Sequence, residues 1–252
     1  NTSDKLNKEN LDTELYPFIG LSGVINQNIT LLDFDYSKAN EVKETKGIFT
    51  EFILTIDNEI ITNPIWLKNH TNNQYDFTFQ DSENYLYYFS HEGNQLWKKK
   101  IPNKIIGEIK QIDTYKNGRL QINFRTKNYF YVLDRNGNEV KELSFQIDSG
   151  KVNNPVSVFD YEKNRNYRFL VTNDGIIKMY DSKGKKVTGF KPNVFKSGII
   201  NSPVHIRIDG KDFIVVQLEN GDLKILDRRG RDRIKVDGKI QFSNNPIFSY
   251  LK

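Results

Sequence analysis

The run Leu120-Gln-Ile-Asn-Phe-Arg125, followed by Tyr129 to Leu133 and the turn Asp134-Arg-Asn-Gly137, is the key to the whole chain. Apolar residues occupy alternate positions from Leu120 to Phe124, the period of a half-buried strand. Asn128 stands between the first two runs, and Asn tolerates the left-handed backbone that a tight reversal needs. Asp at the first position and Gly at the fourth mark the next turn. Asn138 to Phe145 then reads as a third strand, completing an antiparallel unit.

The unit recurs on either side. The turn glycine returns as Gly93, Gly137, Gly184 and Gly230, at successive spacings of 44, 47 and 46 residues. Nine positions earlier stands Asn84, Asn128, Gly175 or Gly221, and three positions earlier Ser90, Asp134, Asp181 or Asp227, each able to cap the turn. Between them run three apolar columns: Leu86, Phe130, Ile177, Leu223; Tyr88, Val132, Met179, Ile225; and Phe89, Leu133, Tyr180, Leu226. A further column opens each unit with a polar pair before Pro: Thr62-Asn-Pro64, Asn153-Asn-Pro155, Asn201-Ser-Pro203 and Asn244-Asn-Pro246, with Gly107-Glu-Ile109 in the second unit. Pro at the first residue of a strand forfeits no ladder bond when its nitrogen faces away from the sheet.

Each unit therefore reads as four strands, A to D, joined by tight turns over about 46 residues, the pattern of a propeller blade. Complete units span about 60–103, 104–151, 152–198 and 199–241. A lone strand A remains at Pro246–Leu251. Three strands remain near the start: Phe18–Ile25, Ile29–Tyr36 and Ile48–Ile56, with the charged stretch Ser37–Lys46 as a loop. The two remnants together make one blade. The expectation is an all-β, five-bladed propeller spanning 15–252, closed by residues 18–57 and 246–251 side by side, since closure removes an open sheet edge.

Composition bounds function. The 252 residues contain no Cys, which excludes a disulfide framework, Cys-ligated zinc and a thiol nucleophile. No apolar run approaches the ~20 residues of a membrane-spanning helix. Residues 1–14 are polar and without periodicity, and read as a disordered leader. The net charge of +5 is uneven: residues 1–60 hold 11 acidic against 5 basic, and residues 183–240 hold 14 basic against 7 acidic. The densest basic stretch, Asp227-Arg-Arg-Gly-Arg-Asp-Arg233, could grip phosphate or an acidic glycan. The plainer reading is a solvated turn whose own Asp residues offset the charge. No aromatics sit within it, so nucleic acid is not an expected partner.

The run Tyr85-Leu-Tyr-Tyr-Phe-Ser-His-Glu-Gly-Asn-Gln-Leu-Trp97, with Tyr129–Val140, Leu223–Arg231 and the polar-polar-Pro openings, resembles the blades of pyrroloquinoline-quinone-type propeller repeats over about residues 60–251. The arrangement also resembles the C-terminal propeller of large uncharacterised envelope proteins of the Bacteroidota. The resemblance implies the fold and a periplasmic or envelope-associated setting. In the quinone repeat a strand-D Trp docks each blade on its neighbour; here Trp97 holds that position, while Lys141, Thr188 and Ile234 stand there in the other units. Quinoprotein dehydrogenases have more blades, and many carry a Cys pair absent from this chain, so no quinone or other cofactor is expected.

Candidate chemistry is sparse. His70, His91 and His205 fall in different units without metal-type spacing. His91 reads as a turn residue and His205 as an exposed alternate of a strand A. Asp160-Tyr-Glu-Lys-Asn-Arg-Asn166 has oxygen ligands at alternate positions, as a calcium loop does, but Lys163 and Arg165 interleave them and an A–B turn is the simpler reading. No metal site is expected. Binding sites of propellers lie where the D–A and B–C loops meet at one mouth of the channel. The B–C tips present Asp81, Glu83, Arg125, Lys127, Asn173, Asp174, Glu219 and Asn220, and the D–A loops present Phe195 and Phe242. The eight B–C residues define the candidate ligand-binding set, and the two Phe are the aromatics that could stack on a sugar. The expected function is a monomeric, non-enzymatic binding or scaffold module for a protein or glycan ligand. The alternative is a carbohydrate-active propeller, lectin-like or hydrolytic, with Asp81, Asp174 and Glu219 as its carboxylates.

Overall fold

A computed structural model describes residues 18–25, 28–35, 49–148, 150, 154–243, 245 and 247. The expected leader, 1–14, and the expected loop Ser37–Lys46 lie outside the described residues. Among the described residues the regular structure is nineteen strands, with no helix. β1 (Phe18–Ile25), β2 (Asn28–Asp35) and β3 (Phe49–Thr55) form a three-stranded antiparallel sheet in chain order, within a residue of the expected boundaries. Four four-stranded antiparallel sheets follow. The first holds β4 (Ile65–Lys68), β5 (Tyr75–Gln80), β6 (Tyr85–Phe89) and β7 (Gln95–Lys100), and the second β8 (Ile106–Ile112), β9 (Gln121–Arg125), β10 (Tyr129–Leu133) and β11 (Phe145–Gln146). The third holds β12 (Ser157–Phe159), β13 (Arg168–Asn173), β14 (Ile176–Asp181) and β15 (Asn193–Val194), and the fourth β16 (Val204–Ile208), β17 (Lys211–Gln217), β18 (Leu223–Leu226) and β19 (Asp232–Ile234).

The turn chemistry works as the repeat requires. Oδ1 of Asp134 accepts the N–H of Asn136 and of Asn138, both at 2.8 Å, and Gly137 at φ +79° donates its N–H to Asp134 O. Asp181 and Asp227 repeat the double cap. In the third unit Asp174 (φ +46°) and Gly175 (φ +76°) both lie left-handed, as a two-residue hairpin demands. Asn128 is not among the positive-φ residues; its reversal is closed instead by Thr126 N–H on Tyr129 O.

Two expectations are corrected. Asn138–Phe145 is not one strand: Glu139 makes a single bridge to Leu133, the chain turns as Leu143 and Ser144 both donate to Val140 O, and pairing resumes at Phe145. The strand breaks because Ser144 Oγ takes up the Val132 N–H in place of the ladder. The alternation in β9 also marks no solvent face. Gln121, Asn123 and Arg125 are all buried, because a neighbouring sheet covers each face.

Four apolar cores show this stacking. Phe52 and Leu54 pack with Phe77 and Phe89; Leu86 and Tyr88 with Ile122 and Phe124; Phe130 and Val132 with Phe169 and Val171; and Ile177 and Met179 with Ile214 and Val216. Each core lies between one sheet and the next in chain order. A fully buried Phe such as Phe79 or Phe130 contributes about 2 kcal/mol through the area it removes from water. Where the fourth sheet would meet β1–β3, the expected closing strand Pro246–Leu251 lies outside the described residues, Ile247 excepted.

The inner strands are tied across sheets by the polar residues around each Pro. Asn154 Nδ2 donates to Ile199 O (3.0 Å), Asn201 Nδ2 to Asn245 O (3.0 Å), Ser157 Oγ to Pro203 O (2.6 Å) and Ser202 Oγ to Pro155 O (3.2 Å). In the second unit Ile109 stands in place of the Pro, and Gly107 holds the first polar position, where a Cβ would meet the Pro155 ring at 2.5 Å.

Candidate functional site

Between the third and fourth sheets a pocket of about 320 Å³ opens at the end where the β13–β14 turn meets the loop from β15 to β16. Asn173, Asp174 and Gly175 come from the turn, Phe195 to Ile199 from the loop, and Glu219 from the β17–β18 turn; Asn154 and Thr172 line it from below. The backbone closes around it through Phe195 N–H on Gly175 O (2.9 Å) and Glu219 N–H on Gly198 O (2.9 Å). Two glycines make this possible. A Cβ on Gly175 would stand 2.6 Å from Ser197 O, and one on Gly198 would stand 2.5 Å from the Glu219 carboxylate. Thr172 is 3% exposed, and its Oγ1 has no hydrogen-bond partner among the described residues.

Of the eight sequence-derived residues, the structure brings Asn173, Asp174 and Glu219 together here, joined by Phe195. Asn220 is adjacent, its N–H donated to Ser197 Oγ. The other four are elsewhere. Asp81 is fully buried, accepting from Asn58 Nδ2, Tyr85 N–H and Tyr87 Oη at 2.8–2.9 Å, so it caps its hairpin and is not presented to solvent. Glu83 is exposed beside Lys100, and Lys127 is exposed on the second-sheet turn. The carboxylates of Asp81, Asp174 and Glu219 therefore do not line one pocket. Phe242 is half-buried and outside it.

Arg125, expected at a loop tip, is also fully buried. Its Nη1 donates to Asn154 O (3.3 Å) and Thr172 O (3.2 Å), and its Nη2 to Asn173 Oδ1 (3.1 Å), all in the third sheet. Every acceptor it meets is neutral, and burial pulls the guanidinium down to about 10, leaving it charged at pH 7. It lies outside the pocket's lining and holds the lining residues Asn154, Thr172 and Asn173 in place from behind.

A polar network joins the same two sheets at the A–B turns. His205 Nε2 lies 2.7 Å from Asp212 Oδ1, and the His205 side chain is 13% exposed, so the expected exposed position is corrected: the rings of Phe159 and Tyr161 cover it. Arg228 pairs with Asp212 and with Glu162 (2.5 Å) and stacks over Tyr161 at 4.6 Å. Burial alone would raise the Asp212 carboxyl; hydrogen bonds from His205 and Arg228 outweigh it and hold the group below its usual 3.8. Arg231 pairs with Asp227, and Arg233 lies over Phe213. Much of the basic stretch is thus engaged within the molecule. Asp160 caps its own A–B turn, its two oxygens accepting the N–H of Asn164 and Arg165. A second cavity, of about 510 Å³, runs along the inner strands, lined by Glu108, Lys110, Ser157, Asn201, His205 and Ile247 among others.

No family model matches the chain, and no curated protein does. Solved structures do. The C-terminal WD40 domain of Sif2 superposes with a TM-score of 0.58 at 14% identity, covering 89% of this chain and 58% of that one. BBS1N, in a complex with ARL6DN soaked with lead, superposes with a TM-score of 0.54 at 9% identity, covering 85% of this chain and 67% of that one. At such identities the likeness is one of fold. The chain is an all-β protein of the WD40-like β-propeller type, built from four-stranded antiparallel sheets.

Proposed function

We propose that this chain is a non-enzymatic binding or scaffold module that engages its ligand at the mouth formed by the B–C and D–A loops. The observation that carries the reading is the convergence of Asn173, Asp174, Phe195 and Glu219, from three separate loops, on one pocket. Glu83, Lys127 and Asn220 extend the contact surface around it, while Asp81 and Arg125 support their loops from within. BBS1N, similar to this chain in fold, was crystallised in complex with ARL6DN, in keeping with a fold that holds protein partners. The setting follows the sequence resemblance: a quinoprotein-type repeat in an envelope protein of the Bacteroidota.

The same reading includes a ring of five blades. Among the described residues, three strands stand in the first sheet where the others have four. Asn245 O accepts from Asn201, and Ile247 lines the inner-strand cavity beside Val158 and Val204, where an innermost strand belongs.

The test uses the wild-type chain and an Asp174→Ala/Glu219→Ala variant as baits in Bacteroidota envelope extract, compared by quantitative mass spectrometry. At least one protein is retained by wild type and lost by the variant at unchanged Tm. Identical retention by both baits removes the reading. The carbohydrate alternative is favoured by Phe195 standing beside two carboxylates, and a glycan array with hydrolysis assays on the same two proteins decides it.

A further inference from the structure

We infer that the pocket between the third and fourth sheets takes an organic cation, the ammonium or guanidinium of a basic side chain on a protein partner. This rests on the binding-module reading and specifies the chemistry of its site.

The side chains of the wall leave two acceptors over. Its amide donors are engaged inside the protein: Asn173 Nδ2 on Asp148 O (2.6 Å), Asn154 Nδ2 on Ile199 O (3.0 Å), and the N–H groups of Phe195 and Glu219 on Gly175 O and Gly198 O. Two of its side-chain acceptors, on Glu219 and Thr172, are not. The Glu219 carboxylate makes no hydrogen bond or ion pair among the described residues, yet it lies against Gly198 so closely that a Cβ there would come within 2.5 Å of it. The buried hydroxyl of Thr172, in the same wall, has no partner among them either. An unsatisfied hydroxyl in a residue 3% exposed is a cost that a ligand can remove.

A donor-only ligand fits such a wall. An ammonium carries three donors and a guanidinium five, and neither has an acceptor, whereas a sugar hydroxyl wants both kinds of partner. The side-chain donors left on the rim are the exposed Lys196 ammonium and the Ser197 hydroxyl, too few to pair with a ring of hydroxyls. Phe195 supplies the aromatic face that attracts a cation. The volume of about 320 Å³ sits at the small end of ligand pockets and suits one long side chain.

The experiment is a titration of the ¹⁵N-labelled chain, followed at the amides of Gly175 and Gly198, with four probes: Nα-acetyl-lysine methylamide, Nα-acetyl-arginine methylamide, the Nε-acetylated lysine analogue, and methyl glucoside. The two cations shift these amides with a Kd of about 1–10 mM, as expected of a single side chain. Loss of the charge by Nε-acetylation weakens binding by about tenfold or more, and Glu219→Gln does the same. Thr172→Val weakens it by roughly threefold, consistent with one neutral hydrogen bond. An Nε-acetylated analogue or a glucoside that binds as well as lysine overturns the inference, as does no shift from either cation up to about 50 mM. If the cations fail while partner capture still depends on Asp174 and Glu219, only the cation assignment falls. If capture itself is insensitive to those residues, the binding-module reading falls with it.

Discussion

The indole of Trp97 lies over Gly137, 2.9 Å from where a β-carbon on that glycine would stand, and its Nε1 donates to Arg135 O at 2.7 Å. The contact recurs between successive sheets. A β-carbon on Gly93 would stand 2.9 Å from the Phe52 ring, one on Gly184 2.7 Å from the Phe145 ring, and one on Gly230 3.0 Å from the Phe190 ring. Every turn glycine of the repeat thus receives an aromatic ring from the preceding sheet. Docking by Trp97 alone, as the alignment of Lys141, Thr188 and Ile234 implies, is corrected: the ring is kept but moved along the chain, because the extra turn after β10 and its counterpart after β14 carry Phe145 and Phe190 to the site.

Gly137→Ala therefore meets two obstacles, a left-handed φ of +79° and the Trp97 ring. The expected loss is about 2–3 kcal/mol from backbone strain and overpacking together. Trp97→Ala loses about 3 kcal/mol. Urea unfolding of both single variants and the double variant measures the coupling, which is large if the ring and the glycine form one contact and near zero if they do not.

Arg125→Ala leaves Asn154 O, Thr172 O and Asn173 Oδ1 without their shared donor inside the protein. The expected destabilisation is about 3 kcal/mol, and Arg125→Lys recovers only part of it because a single ammonium cannot span three acceptors in two directions. Equal stability of wild type and Arg125→Ala in urea denaturation contradicts the clamp.

The pH response of His70 has a fixed sign. Its Nδ1 accepts the Leu120 N–H at 3.3 Å, and burial, then the charges of Arg135 and Arg119, lower it from 6.5. The folded state therefore holds the neutral ring, and the unfolded chain binds the proton first. The stability this contributes is full above pH 6.5 and is lost as pH falls below that toward the folded value. Tm measured from pH 7.5 to 5 falls less for His70→Gln than for wild type.

Asp212 gathers His205 and Arg207 from one strand and Arg228 from a turn. Asp212→Asn keeps the shape and removes the charge, leaving Arg228 with Glu162 alone. Because the Arg228 side chain is 36% exposed, solvent offsets part of the loss, and about 2 kcal/mol is expected. In the wild type the contribution is present above pH 3.8 and disappears as pH falls through the lower folded value, so Asp212→Asn shows a shallower acid-unfolding curve.

The repeat was legible because turns obey local chemistry. Asp134, Asp181 and Asp227 cap the reversals that precede Gly137, Gly184 and Gly230 through bonds spanning two to four residues, and the expected strands Phe18–Ile25, Ile29–Tyr36 and Ile48–Ile56 fall within a residue of β1–β3. The pocket was legible in part. Asn173, Asp174 and Glu219 were named from their places on turns, and Phe195 from its loop. Thr172 carried no signal, since an orphaned hydroxyl exists only once neighbouring sheets have taken up every other group around it.

The unit belongs to the linear chain: four strands, their turns, and the order in which the sheets follow are all written in residues close to one another. Which polar residues face water is a property of the assembled molecule. Asp81, Arg125 and Asp212 look alike in a linear reading, being polar residues on or beside short strands. They are buried because each sheet is covered by sheets roughly 46 residues away in the chain, and burial between such distant neighbours leaves no periodic trace along the strand itself.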